Sequence, residues 1–392
     1  MLVGQGMNFV LQAIYFILLA RLLGVKEYGV FAGSLAFTSI ATPYSGLGSG
    51  VLFIRYVNQS VRNCAEYWGN ILFSTISTGL LISAALYLIA PRLLNSASAS
   101  LVLLIALGEC IFRQLVIGVS QIFQAFERLR VTAAVALLIS LLRLITVVLL
   151  TYLGHATAYK WALTSLVINI IAALSCLVLV VFQFGFPKFV PRLFIDRIGE
   201  GFAYSLAGST QSIYNDVDKT MLSHYGMNIA NGIYTMAYRI IDITSTPISA
   251  IDAAALPRYF SRSRDGVAAI RDLASRLAIH AAVIGVVMAG CAFILAPVIP
   301  RIVGKGFSQS VYALRWLCLI PALRGLHQLT GSAITGIGLQ RLRTTVQTGA
   351  AVFNFALNLW LIPRYGWLGA AWSSIATDGA LAAVNFSLLS HL

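Results

Sequence analysis

The sequence contains few charged residues. Only 10% of its 392 residues are Asp, Glu, Lys or Arg, and 59% are hydrophobic. Soluble domains carry roughly 25% charged residues on average. No acidic tail, flexible linker or low-complexity stretch is present, and no polar region is long enough to form a separate soluble domain. This composition excludes an ordinary water-soluble protein and predicts an integral membrane protein.

The sequence also lacks the residue patterns of metal and catalytic sites. Its five cysteines stand singly, which argues against structural zinc and against a disulfide framework. The five histidines form no zinc-protease motif, and no catalytic triad follows from residue spacing. The glycine-rich stretch Gly46–Gly50 lacks the strand and the lysine of a phosphate loop, so it indicates close helix packing or a helix kink. We therefore expect no enzymatic activity, no metal and no cofactor.

Long apolar runs fill most of the chain. A membrane-spanning helix needs about 20 mostly apolar residues, and the sequence predicts twelve such segments, of which 201–224 is the least apolar. The segments cover residues 3–23, 28–56, 67–90, 100–125, 129–153, 157–184, 201–224, 229–256, 276–299, 308–336, 341–362 and 367–390. The first residues lack a basic region and a cleavage site, so we expect them to begin a membrane helix.

The net charge of +14 is distributed unevenly over the predicted loops. If the N-terminus is cytoplasmic, the loops on that side hold about twice as many lysines and arginines as the loops on the other side. This asymmetry favours a cytoplasmic location for both termini. It also accounts for most of the basic excess, so we expect no nucleic acid partner.

Several short motifs occur twice, in the same order. The repeated pairs are Tyr28–Phe31 with Asn231–Tyr234, Arg55-Tyr56 with Arg258-Tyr259, and Glu127–Arg130 with Gln340–Arg343. Internal repeats of apolar segments are typical of transporters in which two halves rock around a site. With six helices in each half, both halves enter the membrane from the same side, which predicts parallel repeats related by an axis along the membrane normal.

These observations predict an all-α polytopic membrane protein with twelve transmembrane helices in two six-helix lobes. The N-terminal lobe is expected over residues 1–186 and the C-terminal lobe over residues 201–392. A cytoplasmic linker, 187–200, joins the lobes. This linker and the stretch 257–275 are the longest predicted polar loops.

Three stretches resemble bacterial polysaccharide flippases. Leu22–Gly29 is similar to the first helix-to-helix turn of that family, and Asp218–Leu222 with Asn231–Arg239 is similar to the start of its second half. Asn358–Ala371 is similar to the penultimate turn and is the most specific of the three. The resemblance covers nearly the whole chain. The short N-terminus departs from the family, in which a basic cytoplasmic stretch usually comes first.

The resemblance has implications for both fold and function. The family belongs to the multidrug/oligosaccharidyl-lipid/polysaccharide exporter superfamily, together with multidrug antiporters and lipid II flippases. It implies two lobes around a central cavity and the transfer of polyprenyl-pyrophosphate-linked oligosaccharides across the cell inner membrane for polysaccharide biosynthesis. The expected partners are the lipid-linked oligosaccharide, the bilayer, proteins of polysaccharide assembly, and protons or sodium ions as coupling ions.

Charged residues inside the predicted spans are the candidate site residues, because charges at membrane depth face a cavity or a partner. Three pairs stand three or four residues apart, which places the partners on one helix face. These pairs are Glu109 with Arg113, Asp216 with Lys219, and Arg239 with Asp242. Mutual neutralisation within each pair and a role in substrate binding are both open.

Three arginines, Arg143, Arg315 and Arg324, have no acid at helical spacing. Arg143 and Arg324 lie near mid-helix, and a guanidinium offers phosphate oxygens a planar pair of donors. We expect both to contact the pyrophosphate; the alternative is a salt bridge to another helix. The full set of predicted substrate-binding residues is Arg113, Arg143, Lys219, Arg239, Arg315 and Arg324.

Two aspartates are candidates for ion coupling. Asp218 lies on a polar stripe of the segment 201–224, which we expect to line a cavity, and Asp378 lies in the last predicted span. A carboxyl group in a poorly solvated place tends to hold its proton, so its release can be coupled to a conformational change. A plain structural hydrogen bond is the alternative for both residues.

Other functions fit the sequence less well. A multidrug or cation antiporter of the same superfamily needs a site dominated by acids, whereas buried acids and buried cations are balanced here. A membrane polysaccharide polymerase or glycosyltransferase usually carries its chemistry on a sizeable loop, and the predicted outside loops are short. An oligosaccharide flippase working by alternating access is therefore the favoured prediction.

Overall fold

The computed structural model describes residues 2–57, 64–94, 98–154, 156–262 and 265–392, without the side chains of residues 2–6, 9 and 207. The described chain is helical almost throughout and contains no β-strand. The all-α polytopic class predicted from the sequence is therefore confirmed. The chain forms two compact units: an N-terminal unit, Met1–Asn228, and a C-terminal unit, Ile229–Leu392.

The N-terminal unit contains eight α-helices and one π-helix among its described residues. The α-helices are α1 (Leu2–Ala41), α2 (Ser49–Val57), α3 (Cys64–Leu93), α4 (Ala99–Ala106), α5 (Gln114–Ala125), α6 (Leu129–Leu153), α7 (Ala158–Phe184) and α8 (Pro191–His224). The π-helix, Leu107–Arg113, joins α4 to α5 without a break.

The helices of the C-terminal unit follow directly. They are α9 (Asn228–Arg262), α10 (Val267–Leu295), α11 (Ile299–Val303), α12 (Ser310–Leu317), α13 (Ile320–Gly336), α14 (Gln340–Tyr365) and α15 (Trp367–His391). Short 3-10 turns at Ala296–Val298 and Lys305–Phe307 flank α11.

Six helical stretches in the described part of the chain are long and apolar enough to cross a membrane. They are Cys64–Leu93, Ala99–Ala125, Leu129–Leu153, Ala158–Phe184, Val267–Val303 and Gln340–Tyr365. The remaining long helices are more polar or interrupted, and a twelve-helix arrangement fits the fold. Exposed large apolar side chains on these spans, such as Leu149 and Ile294, provide the apolar surface that a bilayer requires.

The segment predicted as one span over 28–56 is interrupted. Helix α1 runs through a kink at Gly24 and ends at Ala41, and α2 begins only at Ser49. Pro43 opens a 3-10 turn between them, and Gly46 and Gly48 have positive φ angles of 78° and 62°. The kink predicted from the glycine-rich stretch Gly46–Gly50 is thus confirmed, whereas the continuous helix is not.

The two longest predicted polar loops are mostly helical. Helix α8 begins at Pro191, so most of the predicted linker 187–200 belongs to a helix. Helix α9 runs to Arg262 and α10 starts at Val267, which leaves a short connection where a loop over 257–275 was expected. Proline is favoured in the first helical turn because its missing N–H would be unpaired there. The lobe boundaries themselves stay a prediction.

Each unit has its own apolar core. In the N-terminal unit, Phe53, Trp68, Ile122 and Val180 meet in a cluster drawn from α2, α3, α5 and α7. In the C-terminal unit, α10 and α13 approach closely through small residues: a Cβ on Gly325 would lie 3.1 Å from the carbonyl of Ala281. Small residues at helix crossings are typical of membrane proteins, where tight packing replaces the hydrophobic effect.

Candidate functional site

The π-helix places two charged residues of the N-terminal unit side by side. Glu109 and Arg113 lie within Leu107–Arg113 and form an ion pair, as their spacing predicted. The Glu109 side chain is mostly buried, whereas the Arg113 side chain is 51% exposed. Single π-helical turns occur frequently at functional sites. About half of the Arg113 side chain remains accessible.

A second arginine reaches the same glutamate from another helix. Nη2 of Arg143, on α6, lies 4.0 Å from Oε1 of Glu109 and donates a hydrogen bond of 3.1 Å to Oδ1 of Asn169 on α7. The Arg143 side chain is only 19% exposed. We call Glu109, Arg113 and Arg143 the N-terminal triad; its formal charges leave one net positive charge.

The C-terminal unit holds a comparable set, the C-terminal triad of Arg239, Asp242 and Arg324. Nη1 of Arg324 lies 3.2 Å from Oδ1 of Asp242, and Nη1 of Arg239 lies 4.0 Å from Oδ2 of the same carboxylate. Nη2 of Arg324 donates a hydrogen bond of 3.0 Å to the hydroxyl of Tyr238. This triad also carries one net positive charge.

The two triads share one plan. In each, an arginine and an acid stand on one helix, and a second arginine arrives from another helix. The arginine beside the acid is the more exposed one: Arg113 at 51% and Arg239 at 36%, against 19% for Arg143 and 11% for Arg324. The three ion pairs predicted from helical spacing are all present.

In the structure, Arg143 and Arg324 each pair with an acid on another helix. Such a salt bridge was the alternative to substrate binding. Glu109 and Asp242 supply those acids. A role of Arg143 and Arg324 toward substrate stays a prediction, and the exposed guanidinium groups nearest to them belong to Arg113 and Arg239. The sequence alone does not identify these two acids as partners, because helical spacing cannot reveal a partner on another helix.

The other two predicted cations lie elsewhere. Lys219 on α8 donates to Asp216 and to the carbonyl of Asn215, both at 2.7 Å, and its side chain is largely buried. Ser39 on α1 donates a 2.6 Å hydrogen bond to the same Asp216, so the pair is tied to a neighbouring helix. Arg315 on α12 lies over the ring of Phe293, 4.8 Å from its centroid.

The two predicted coupling aspartates are both buried. Asp218 accepts a 2.7 Å hydrogen bond from the backbone N–H of Lys219. Oδ1 of Asp378 on α15 lies 3.4 Å from Nε2 of His327 on α13. Helix α15 also joins a polar network in which Asn354 donates to Ser373 and Thr377, each at 3.1 Å. Asp378 thus lies in a buried polar region of the C-terminal unit.

Sequence reasoning missed the neutral residues that hold the triads. Asn169 contacts both Arg143 and the π-helix, and Tyr238 contacts Arg324. Asn169 is the one polar residue within the apolar run 166–174 of α7. An isolated polar side chain in such a run is a usable signal, because it needs a partner at membrane depth.

Comparisons with known proteins agree with this architecture. A family model described as "Polysaccharide biosynthesis protein" matches residues 1–264. The "Uncharacterized membrane protein MJ1375" of Methanocaldococcus jannaschii is 22% identical over 400 residues, covering 96% of this chain and 92% of that protein.

Solved structures of two transporters have the same fold. A multidrug resistance MATE family transporter of the MOP superfamily, in an inward-facing conformation, gives a TM-score of 0.79 at 14% identity, over 97% of this chain and 94% of its own. The lipid II flippase MurJ, in an inward closed conformation, gives 0.79 at 16% identity, over 98% and 86%.

Proposed function

Because this chain belongs to the polysaccharide biosynthesis protein family and has the fold of MOP superfamily transporters, we propose that it is a flippase for a lipid-linked oligosaccharide. Its substrate is a polyprenyl-pyrophosphate-linked repeat unit of a surface polysaccharide. The protein lies in the cell inner membrane with both termini in the cytoplasm. The polyprenyl tail stays in the bilayer while the charged, sugar-bearing head group crosses by alternating access.

The observation that carries this proposal is the excess positive charge of the two triads. An isolated acid–arginine pair at membrane depth is neutral and attracts no anion, whereas each triad retains one positive charge and one partly exposed guanidinium. A guanidinium matches the geometry of phosphate oxygens through two parallel N–H donors. Each triad is therefore suited to one phosphate group of an anionic lipid head.

The roles of the arginines follow from their exposure. Arg113 and Arg239 contact the phosphate oxygens directly, and Arg143 and Arg324 supply the charge that keeps each triad cationic. Lys219 is neutralised by Asp216, whereas Arg315 lies over an uncharged ring and contributes to the positive potential at longer range. Charges in a medium of low dielectric interact strongly over such distances.

Transport is coupled to an ion through Asp218 and Asp378. Both carboxyl groups are buried, and a buried carboxylate is costly unless it is protonated or binds a cation. Ion release on one side of the membrane then favours a different arrangement of the surrounding helices. The His327–Asp378 contact supports such a role in the C-terminal unit.

Transport by arginine variants in vesicles tests the phosphate role. We expect Arg113→Ala and Arg239→Ala each to slow transfer of a fluorescent polyprenyl-pyrophosphate oligosaccharide by roughly tenfold or more, since a hydrogen bond to a charged group contributes about 1.5–3 kcal/mol. Arg113→Lys and Arg239→Lys should retain part of the rate, because lysine keeps the charge but not the planar pair of donors.

The control is Arg276→Ala. Arg276 forms an exposed i,i+4 ion pair with Asp272, so it matches Arg113 in local chemistry but stands outside both triads. It should transport at the wild-type rate. Wild-type transport by correctly inserted Arg113→Ala and Arg239→Ala variants would overturn the proposal. Faster efflux of an organic cation by the same variants would favour a cation antiporter instead.

A further inference from the structure

The two buried arginines of the triads are held by neutral side chains whose positions depend on local packing. Asn169 in the N-terminal unit and Tyr238 in the C-terminal unit are both almost fully buried. Each contacts the Nη2 atom of its arginine. The acid of the triad lies near the same Nη2 atom in Arg143 and near the Nη1 atom in Arg324. A buried polar group next to a charge is costly to leave unpaired, so these contacts restrict the arginine to one orientation.

Asn169 connects the arginine to the π-helix. Its Nδ2 donates a 3.3 Å hydrogen bond to the carbonyl of Gly108, and its Oδ1 accepts from Arg143. Because one amide end needs an acceptor and the other a donor, only this orientation of the side chain satisfies both neighbours. A Cβ on Gly108 would lie 3.3 Å from the same Nδ2. The glycine therefore leaves the space through which Asn169 reaches the π-helix.

The consequence concerns Glu109. Asn169 holds Arg143 at 4.0 Å from Glu109, at the limit of an ion pair, so the carboxylate remains bonded to Arg113. Without this restraint Arg143 can move onto Glu109 and compete with Arg113 for it. The exposed guanidinium would then lose its fixed direction, and a ligand would have to order it on binding. Ordering a flexible side chain on binding weakens the affinity.

Tyr238 plays the matching part in the C-terminal unit. Its hydroxyl accepts the 3.0 Å hydrogen bond from Arg324, and its ring centroid lies 5.4 Å from the Arg324 guanidinium carbon. The ring packs at 5.3 Å from the ring of Tyr234, whose own hydroxyl lies 2.9 Å from Oγ of Ser374. Tyr238 is thus supported on one side by another tyrosine and contacts the arginine on the other.

We propose that Asn169 and Tyr238 are positioning residues that orient the buried arginines of the two triads and so set the affinity for the phosphate of the substrate. The proposal rests on the proposed function, because it assigns these residues to the same anion-binding groups. Neither residue contacts the substrate; each acts through its arginine.

Binding of farnesyl pyrophosphate and of inorganic pyrophosphate to the full chain in lipid nanodiscs tests the proposal. We expect Asn169→Ala and Tyr238→Phe each to raise the Kd by roughly three- to tenfold, as the loss of one hydrogen bond of about 1 kcal/mol implies. Asn169→Asp should bind more weakly than Asn169→Ala, since its added negative charge cancels the net charge of the N-terminal triad.

Two matched controls test whether the loss of any buried polar side chain weakens binding, independently of the orientation of the arginines. Asn70→Ala removes another buried amide of the N-terminal unit, and Tyr259→Phe removes the hydroxyl of another buried tyrosine of the C-terminal unit. Both should bind with a Kd within about twofold of wild type, below the loss that one hydrogen bond implies. Tyr238→Phe keeps the ring and decides the question even if Asn169→Ala fails to fold.

The outcomes distinguish this proposal from the one on which it rests. Wild-type affinity in Asn169→Ala and Tyr238→Phe, together with weak binding by Arg113→Ala, overturns the positioning role and leaves the flippase proposal intact. Absence of binding by the wild-type protein overturns both. Equal losses in the control variants and in the positioning variants also contradict the proposal.

Discussion

At the scale of single residues, two acids among the described residues, those of the triads, are each paired with two cations. Glu109 and Asp242 each face two arginines, one from their own helix and one from another. The first arginine keeps much of its surface exposed, and the second is buried. In the proposed function, the more exposed guanidinium contacts the ligand, and the buried one keeps the group cationic.

Arg324 should matter for stability as well as for binding. Replacing Arg324 with Ala removes the closer partner of Asp242 and leaves the Tyr238 hydroxyl without its donor. We expect the melting temperature of the detergent-solubilised protein to fall. Asp242→Asn in the same chain should restore roughly 1 kcal/mol of that loss, a modest figure because Asp242 is partly exposed. Pyrophosphate binding should not recover. Additive effects of the two substitutions on stability would argue against a direct coupling.

Asp378 should govern the dependence of transport on an ion gradient. Asp378→Asn keeps the volume of the buried side chain but removes its ability to exchange a proton or hold a cation. Vesicles with imposed proton or sodium gradients should show gradient-stimulated transport by the wild type and gradient-independent, slower transport by Asp378→Asn. Asp218→Asn is expected to behave in the same way. The exposed Asp272→Asn is the control, and normal gradient dependence in Asp378→Asn would exclude the coupling role.

Part of this residue-level picture could be predicted from the sequence. Acid–base pairs at helical spacing, such as Glu109 with Arg113, follow from helix geometry alone, and the structure contains them. The second arginine of each triad could not be assigned to its acid, because inter-helix contacts depend on how the helices pack. Asn169 and Tyr238 could not be identified from the distribution of charges, because both are uncharged and their contacts also depend on helix packing.

At the scale of helices, the N-terminal unit contains two interruptions of regular α-helix. They are the break between α1 and α2 and the π-helix, and they contact each other. The hydroxyl of Ser45, between α1 and α2, hydrogen-bonds the carbonyl of Cys110 in the π-helix. Gln114, which follows the π-helix, donates a 3.1 Å hydrogen bond to the carbonyl of Thr42. Breaks in membrane helices are tolerated where polar neighbours satisfy the backbone. This junction supports the helix that carries Glu109 and Arg113.

The helix break also packs closely against α8. A Cβ on Gly48 would lie 2.7 Å from the carbonyl oxygen of Gly201, and a Cβ on Gly201 would overlap the carbonyl of Leu47. Gly201→Ala should therefore destabilise the protein by about 1–3 kcal/mol, the usual cost of overpacking. Gly199 lies on the same helix with open space around its Cα, so Gly199→Ala should be neutral or stabilising by about 0.5–1 kcal/mol. Thermal melts of the two variants measure this difference in stability. Equal melting temperatures would contradict the close approach of Gly201 to the helix break.

Helices and their irregularities differ in how far sequence predicts them. Apolar runs located most helices, and the glycines of Gly46–Gly50 predicted a kink. The π-helix carries no such sequence signal, since Leu107–Arg113 lies inside one predicted span and contains no proline. The helical start of α8 was missed because its polar residues are typical of a loop, although Pro191 suits a helix N-terminus.

At the scale of the whole molecule, the chain forms two compact helical units with one triad in each. One pair of glycines with positive φ recurs at repeated positions: Gly154 ends α6 and Gly366 ends α14, and each of these helices begins near a repeated basic motif. Duplicated motifs in the sequence pointed to this recurrence. Parallel superposition of residues 1–186 on 201–392 stays a prediction, since helical periodicity does not fix how one half is oriented.

The predicted topology can be checked by cysteine labelling. Cys291 is the exposed one of the five cysteines, so the background is first cleared with Cys291→Ala. A membrane-impermeant maleimide should then label Lys305→Cys in intact cells but label Glu127→Cys only after permeabilisation. The basis is the excess of basic residues on the predicted cytoplasmic loops. Labelling of Glu127→Cys in intact cells would invert the map and place both termini outside.

The most direct test of the account is head-group transfer by the purified wild-type protein in sealed vesicles. The probes are a fluorescent polyprenyl-pyrophosphate oligosaccharide, the same glycolipid with an uncharged linker, and a fluorescent organic cation, each followed with a membrane-impermeant quencher. We predict rapid transfer of the pyrophosphate-linked lipid, stimulated by an ion gradient, and little transfer of the uncharged lipid or the cation. Transfer of the uncharged lipid at the same rate, or transport of the cation alone, would contradict the central claim that the triads recognise a lipid-linked pyrophosphate.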